Sequence, residues 1–515
     1  MVILCGVALL AFAARLIPEP RTIDDAFITF RYSRNLVEGN GFVYNPGHRT
    51  LGTTTPLYTL LMAAASLITG SGQYPWLALI VNALFDAATA ALLAWLIYRV
   101  TGCLSLAAIL GTLWAANPMS VTFAVGGMET SLGIFCAAAA ITAYLERRER
   151  WMALFAALAI LTRVDTAIWV GPLFLHQLIT HWRDTRQQPW QRRIPWQSWA
   201  VFAAVLIPWY GFSWAYFGTF VSRSMAAKRL AYEVTPGHAL IRFLQHIATP
   251  FFEHETLGKP GIVVGIVLYP SLAAVGTFYA IKRRPRLIPL LLYPWLYIAV
   301  FSVANPLIFR WYLAPTLPGY FVAILLGLWA LVDGLGTQLK RPWATPTLLS
   351  GIGILFVVFS LNAWVLHPDH QPDRPAPEMA WHKIELNYQT MGELLREKYG
   401  VTEKTLVAAG DIGAVGYFSR ARILDTVGLV TPEISKYYPV DKSILVSGAN
   451  YAVPPAIILD YQPDYIVLME DFVRNGLARE PAFNTLYAQV EFIPTDYYGT
   501  GMILYQRRDL SAAVP

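Results

Sequence analysis

The chain is dominated by a succession of apolar runs, near residues 1 to 17, 75 to 98, 103 to 118, 128 to 145, 151 to 162, 164 to 181, 198 to 217, 261 to 281, 286 to 304, 311 to 333 and 345 to 366. Crossing a bilayer takes about 20 apolar residues of helix. Lipid leaves no partner for an unpaired backbone amide, so runs of this kind fold as packed helices. Composition agrees: 56% of the residues are hydrophobic and 14% charged, against roughly 25% charged in a soluble domain. An ordinary soluble enzyme is excluded. The 17 Trp and 27 Tyr suit the headgroup level of a membrane. The net charge of +6 comes from short Lys and Arg clusters between apolar runs, not from a continuous basic groove, and this argues against a nucleic-acid partner. Cys5, Cys103 and Cys136 all lie inside apolar runs and offer neither a disulfide framework nor a CxxC metal site.

Orientation follows from the basic clusters at Arg99, Arg147 to Arg150, Arg183 to Arg193, Lys282 to Arg286, and Lys340 with Arg341, which belong on the cytoplasmic side. Parity then requires the stretch Leu57 to Ile68 to be a re-entrant or interfacial helix rather than a span. The expectation is a polytopic α-helical protein of a bacterial plasma membrane with about eleven spans, residues 1–366, whose first outer loop covers 18–74. The first run lacks a basic leader and a cleavage site and reads as an anchor. A Pro-rich polar linker, 367–377, leads to a region of soluble composition at 378–515. There an amphipathic helix near 378 to 398 and strand-like segments at 405–409, 422–425 and 464–468 predict a small extracytoplasmic α/β domain.

Ionisable residues in the outer loops are the candidates for chemistry. If a helix starts near Asp24, the spacing places Asp24, Phe27, Arg31 and Arg34 on one face, with Asp25 displaced toward Tyr32. A carboxylate beside two guanidiniums suits a reaction in which a base removes a hydroxyl proton while cations hold a phosphate leaving group. The alternative is that Asp24 caps the helix and the arginines reach lipid headgroups. Both readings stay open on the residues alone. Glycines and prolines from Gly39 to Pro56 make the rest of the loop turn-rich, with Tyr44, His48 and Arg49 along it. Glu129, Arg163, Asp165, Lys228 and Arg310 lie near the outer ends of spans. Intramembrane ionisable groups are functional hypotheses by default, although each also reads as an anchor or an ion pair such as Arg163 with Asp165. Together with Arg21, Arg31, Arg34, Arg49, Arg223 and Arg229, they set many cations against the positive-inside tendency, which points to an anionic partner outside, a lipid phosphate above all. His238, His246 and Glu253-His254-Glu255 match no zinc signature. Gly410, Gly413 and Gly416 follow a strand without the GxGxxG spacing and read as a tight strand-to-helix turn.

The stretch from Asp24-Asp25-Ala-Phe-Ile through Tyr44-Asn-Pro-Gly-His-Arg49 to Gly52-Thr-Thr-Thr-Pro56 resembles the first-loop motif of GT-C glycosyltransferases related to the mycobacterial terminal β-(1→2)-arabinofuranosyltransferase. Further pieces agree in order: Gly127-Met-Glu-Thr, Leu161-Thr-Arg-Val-Asp165, Tyr216-Phe-Gly with Ala227-Lys228, Arg310-Trp-Tyr-Leu-Ala-Pro315, and Gly410 to Tyr417 with Asp425 and Gly428-Leu429. The resemblance implies a GT-C fold and transfer of a sugar from a polyprenyl-phosphate-linked donor to an acceptor hydroxyl outside the cytoplasm. The acceptor is then a glycan, a glycolipid or a glycoprotein of the cell envelope. It implies Asp24 and Asp25 as the catalytic candidates. A phosphate monoester is a competent leaving group, so no cofactor is required; a divalent cation is possible but not indicated. Arg31, Arg34, Tyr44, His48, Arg49, Glu129, Arg163, Asp165, Lys228 and Arg310 are the expected substrate-binding residues, in contact with donor, acceptor and membrane lipids. The chain departs from the family pattern at Leu51, before Gly52-Thr53, and at Val221-Ser-Arg-Ser224, so the resemblance extends to reaction type and not to sugar or acceptor. The rival functions are a lipid-linked sugar flippase or exporter and a non-catalytic envelope-assembly subunit.

Overall fold

Apolar sequence becomes helix here wherever the run is unbroken, and the computed structural model describes residues 1–338, 340, 343–366 and 373–511. Arg341 of the last basic cluster and residues 367–372 of the polar linker lie outside the described residues. Six helices among the described residues are long and apolar enough to cross a membrane: Tyr74–Thr101, Trp196–Phe217, Lys259–Arg283, Pro285–Ala304, Arg310–Gln338 and Thr345–Asn362. The run at 103 to 118 forms part of a broken element, Leu104–Ala116 and Pro118–Val125, bent by 46°. Pro118 cannot donate an amide, and Asn117 instead caps the second half by accepting from the Met119 amide at 3.0 Å. With that pair counted as one span the total is seven, against the eleven apolar runs read from the sequence. The remaining runs form other helices, among them Val2–Leu16, Thr130–Leu145 and Glu149–Thr162.

The chain divides into two compact units, one of Met1–Arg21, Pro75–Tyr210 and Pro236–Trp381, the other of Thr22–Tyr74, Gly211–Thr235 and His382–Pro515. The first unit is the helical one. A close helix contact joins Lys259–Arg283 to Leu317–Gln338 at Gly276 and Gly327, where an added Cβ would lie 2.1 Å from the Ala323 carbonyl oxygen and 1.9 Å from that of Leu272. Small residues let backbones meet in lipid, where no hydrophobic force drives helices together. Arg15 is fully buried and donates to Asp86 at 3.0 Å and to Ser120 at 2.9 Å, tying the first helix to its neighbours.

In the second unit the first loop forms α1 (Asp24–Val37) and α2 (Pro56–Thr69), and the returning segment forms α3 (Ser224–Ala231). Helix α2 has 14 residues, about 21 Å at 1.5 Å per residue, which is short of a ~30 Å hydrocarbon core. The C-terminal part is α/β. It comprises α4 (Lys383–Glu397), β1 (Leu406–Ala409), α5 (Gly413–Ser419), β2 (Arg422–Asp425), β3 (Tyr465–Met469), β4 (Tyr487–Pro494) and β5 (Gly501–Arg507). The sheet order is β2-β1-β3-β5-β4, with β1 parallel to β2 and β3 and the other pairs antiparallel. The strand β4 escaped the sequence pattern because it mixes half-buried with exposed residues rather than forming a continuous apolar run; β5 is largely buried and was missed although its Met502 to Tyr505 are apolar. Tyr388, Met391 and Leu395 of α4 are fully buried, with Val407 and Ala408 of β1 and Ile466 to Met469 of β3.

Candidate functional site

Helix α1 starts with two acids. Ile23 is its N-cap and makes no side-chain cap, so Asp24 does not cap its own helix. Its Oδ2 accepts from the Gly413 amide at 2.9 Å and its Oδ1 from the Ala414 amide at 2.8 Å, so it caps α5 instead. The rest of the same face follows. Phe27 packs on Tyr417 and Phe418, with ring centroids 5.2 and 5.3 Å apart. Buried Arg31 donates to the carbonyls of Tyr44 (2.9 Å), Gly416 (2.7 Å) and Ala421 (2.5 Å) and to Asn45 Oδ1 (3.2 Å). Arg34 donates to the Tyr417 carbonyl at 2.8 Å and lies 4.5 Å from that ring. The face on which the sequence collects Asp24, Phe27, Arg31 and Arg34 is therefore the seat of residues 413–421.

Glycines make this approach possible. A Cβ on Gly413 would stand 1.8 Å from the Asp24 carbonyl oxygen, and one on Gly416 would stand 2.1 Å from the Tyr44 hydroxyl. Tyr44 is buried and donates to the Ile412 carbonyl at 2.5 Å. Asn45 pairs with the edge strand β2 as a backbone would, donating to the Ile423 carbonyl at 2.9 Å and accepting from its amide at 3.0 Å. The buried Asp425 carboxylate takes the amides of Val427, Gly428 and Val430 at 2.9, 3.0 and 2.9 Å. It thereby shapes a loop whose Leu429 carbonyl and Val430 side chain close on Gly52.

Asp25, one residue on, looks elsewhere. Its Oδ2 accepts from Lys228 Nζ of α3 at 3.0 Å, with side-chain exposures of 27% for Asp25 and 19% for Lys228. Asp411 of the C-terminal part feels both charges of this pair, and Glu385 and Tyr388 interact in turn with Asp24 and Asp411; the sequence reading missed all three as site residues. The Tyr388 hydroxyl donates to Asp411 Oδ2 at 2.8 Å, and Glu385 Oε2 is buried without a hydrogen-bond partner. Burial pushes Asp24 up to about 8, with Asp411 adding to the rise and the two α5 amides opposing it. Burial likewise raises Glu385 to about 8, with Asp24 and Asp411 contributing, and raises Asp411, where the Tyr388 hydrogen bond opposes the effect. Arg34 falls to about 10, chiefly through burial and secondarily through Arg31. Asp411 was within reach of sequence reasoning, as an acid two residues after a strand and inside the turn marked by Gly410, Gly413 and Gly416. Glu385 carries no local signal, being one polar residue on an amphipathic helix.

The other expected residues are not all gathered here. His48 and Arg49 are exposed, and Arg49 lies 4.5 Å over the Tyr216 ring. In the first unit Arg163 is buried and bridges Glu129 at 2.9 Å and Asp165 at 2.8 Å, while the Tyr297 hydroxyl donates to Asp165 at 2.8 Å. Arg310, also in the first unit, is exposed and donates to the Met379 carbonyl at 3.1 Å. Among the described residues no group of three or more His, Cys, Asp or Glu side chains is disposed to hold a metal ion.

Helices of spanning length followed by a C-terminal α/β domain define an integral membrane protein of the GT-C, ArnT-like fold. The structure of ArnT from Cupriavidus metallidurans bound to undecaprenyl phosphate matches with a TM-score of 0.56 over 98% of this chain and 97% of that one, at 13% identity. The apo structure of the same protein matches with a TM-score of 0.56, 14% identity, and coverage of 99% and 98%. An oligosaccharyltransferase from Archaeoglobus fulgidus, tethered to an acceptor peptide, gives a TM-score of 0.49 at 12% identity, covering 99% of this chain and 74% of that one. Residues 378–511 match a family described as a domain of unknown function (DUF8728). No curated protein matches the chain.

Proposed function

We propose that this chain transfers a glycosyl group from a polyprenyl-phosphate-linked donor to an acceptor hydroxyl at the extracytoplasmic face of the membrane, with Asp25 as general base. The observation that carries the reading is the division of labour between the two adjacent acids. Both oxygens of Asp24 are committed to the amides of Gly413 and Ala414. Asp25 is partly exposed and has a cation at 3.0 Å. In the proposed step the Asp25 carboxylate takes the proton of the acceptor hydroxyl as its oxygen bonds to the anomeric carbon. The bond from that carbon to the phosphate oxygen breaks, and its electron pair leaves on the polyprenyl phosphate. Lys228 orients Asp25 and faces the charge that develops on the phosphate. Arg31 is a positioning residue in this scheme, because its guanidinium is occupied by the carbonyls that hold residues 413–421. The reaction as written needs no cofactor. The fold shared with ArnT, a protein whose structure holds undecaprenyl phosphate, supports the donor class.

Arg310 is proposed separately, as a contact of the first unit for an anionic lipid group. The first-loop resemblance makes arabinofuranose the first donor sugar to test. The purified chain in proteoliposomes, given labelled polyprenyl-phospho-sugars, is expected to label an acceptor, and Asp25→Asn is expected not to. Donor translocation without transfer would assign a flippase instead. Neither activity with any donor, in a folded protein, would leave the assembly subunit.

A further inference from the structure

The last turn of the spanning helix Trp196–Phe217 and the segment that follows it, through α3, carry an exposed patch that the transfer reaction does not use. Trp214 is 57% exposed and stacks on Phe220, itself 51% exposed, with centroids 4.8 Å apart and planes at 17°. Val221 and Met225 are 61% and 60% exposed, and Leu230 continues the patch. The opposite side of α3 is buried at Ser224, Ala227 and Ala231, a spacing of three and four residues that defines one helical face. Arg223 and Arg229 are exposed on the outward side, and neither guanidinium has a hydrogen-bond or ion-pair partner among the described residues.

Exposed aromatic and aliphatic side chains are costly in water unless something covers them. Position identifies the cover. Residues 218–223 join the patch to the end of a spanning helix, and Trp at such an end sits at headgroup level. The outward side of α3 carries exposed Met225 and Leu230 beside exposed Arg229, a mixture that suits the boundary between headgroups and acyl chains, where long basic side chains reach the headgroups and arginines attract anionic lipids. We propose that residues 214–230 form a membrane-surface seat for an anionic phospholipid bilayer, with Trp214, Phe220, Val221 and Met225 in the acyl boundary and Arg223 and Arg229 on lipid phosphates. Lys228 lies on the same helix and holds Asp25 at 3.0 Å, so the bilayer fixes the depth of that pair. The seat does not depend on the transfer reading.

The test uses the full chain with Cys5, Cys103 and Cys136 replaced by Ser and a single new thiol, Met225→Cys or Val221→Cys, carrying an environment-sensitive fluorophore. The protein is reconstituted in phosphatidylcholine vesicles with and without phosphatidylglycerol. The label is expected to be quenched by lipids carrying a nitroxide near the headgroup and protected from aqueous iodide, more so with phosphatidylglycerol. Arg223→Gln with Arg229→Gln should raise the phosphatidylglycerol fraction needed for half the effect, by up to about fivefold per guanidinium. Quenching by iodide at both positions overturns the seat. So does lipid quenching indifferent to phosphatidylglycerol and to both arginines. Protection from both quenchers that grows with protein density identifies a second copy as the cover, and also overturns the proposal.

Discussion

Separate substitution of the two adjacent aspartates should split stability from catalysis. Asp24 accepts two backbone amides of α5. A hydrogen bond to an ionised acceptor contributes about 1.5–3 kcal/mol net. Asparagine keeps one carbonyl oxygen and turns an N–H donor against the second amide, so Asp24→Asn should cost about one such bond. At roughly 2–4 °C per kcal/mol, the expected fall in Tm is about 3–12 °C. Burial holds the Asp24 carboxyl up to about 8, so the fold favours its protonated form, and wild-type stability falls as pH rises through that value while the amide does not titrate. The penalty of Asp24→Asn should therefore be smaller above pH 8 than below it. Asp25→Asn breaks only a partly exposed ion pair and should cost about 1 kcal/mol or less. Loss of a general base lowers the rate by about 10²–10⁴-fold, so its kcat should fall by that factor with donor KM little changed. The assays are thermal unfolding in detergent at several pH values, and sugar transfer. If Asp24→Asn abolishes transfer with Tm intact while Asp25→Asn remains active, the assignment is reversed: Asp24 is the base and Asp25 the anchor.

Glu385→Gln should raise thermal stability near pH 9 and flatten its pH dependence. The Glu385 carboxyl is raised to about 8 by burial and by Asp24 and Asp411, so the folded state holds a proton that the unfolded chain has lost, and its stabilisation disappears as pH rises through that value. Gly413→Ala should loosen residues 413–421, since its Cβ would lie 1.8 Å from the Asp24 carbonyl oxygen; overpacking of this kind costs about 1–3 kcal/mol or more, and faster proteolysis of the C-terminal part of the intact chain is the readout. Arg163→Gln leaves Glu129 and Asp165 buried without their cation and should cost about 3–5 kcal/mol, measured as lost unfolding temperature. Arg310→Gln should weaken donor affinity about tenfold, the equivalent of ~1.4 kcal/mol, in a protein whose Tm is unchanged; unaltered affinity leaves Arg310 as an anchor alone.

Local periodicity was enough to determine the membrane class, most of the helices, the strands at 406–409, 422–425 and 465–469, and the face of α1 that collects Asp24, Phe27, Arg31 and Arg34. It was enough because a helix or strand repeats its side chains every few residues, and lipid or a core selects one pattern. What that face meets could not be read the same way. Arg31 reaches the Gly416 carbonyl across 385 positions of sequence, and no local spacing encodes a partner so distant. The spacing left a phosphate or lipid headgroups open as partners for the guanidiniums of Arg31 and Arg34; the fold gives both of them backbone carbonyls. It also makes Asp24 the cap of α5 and leaves Asp25 with Lys228, a residue 203 positions away. Which residues of a motif are structural and which are free to react depends on which hydrogen bonds the distant chain has already taken, and that is decided only when the tertiary structure closes around them.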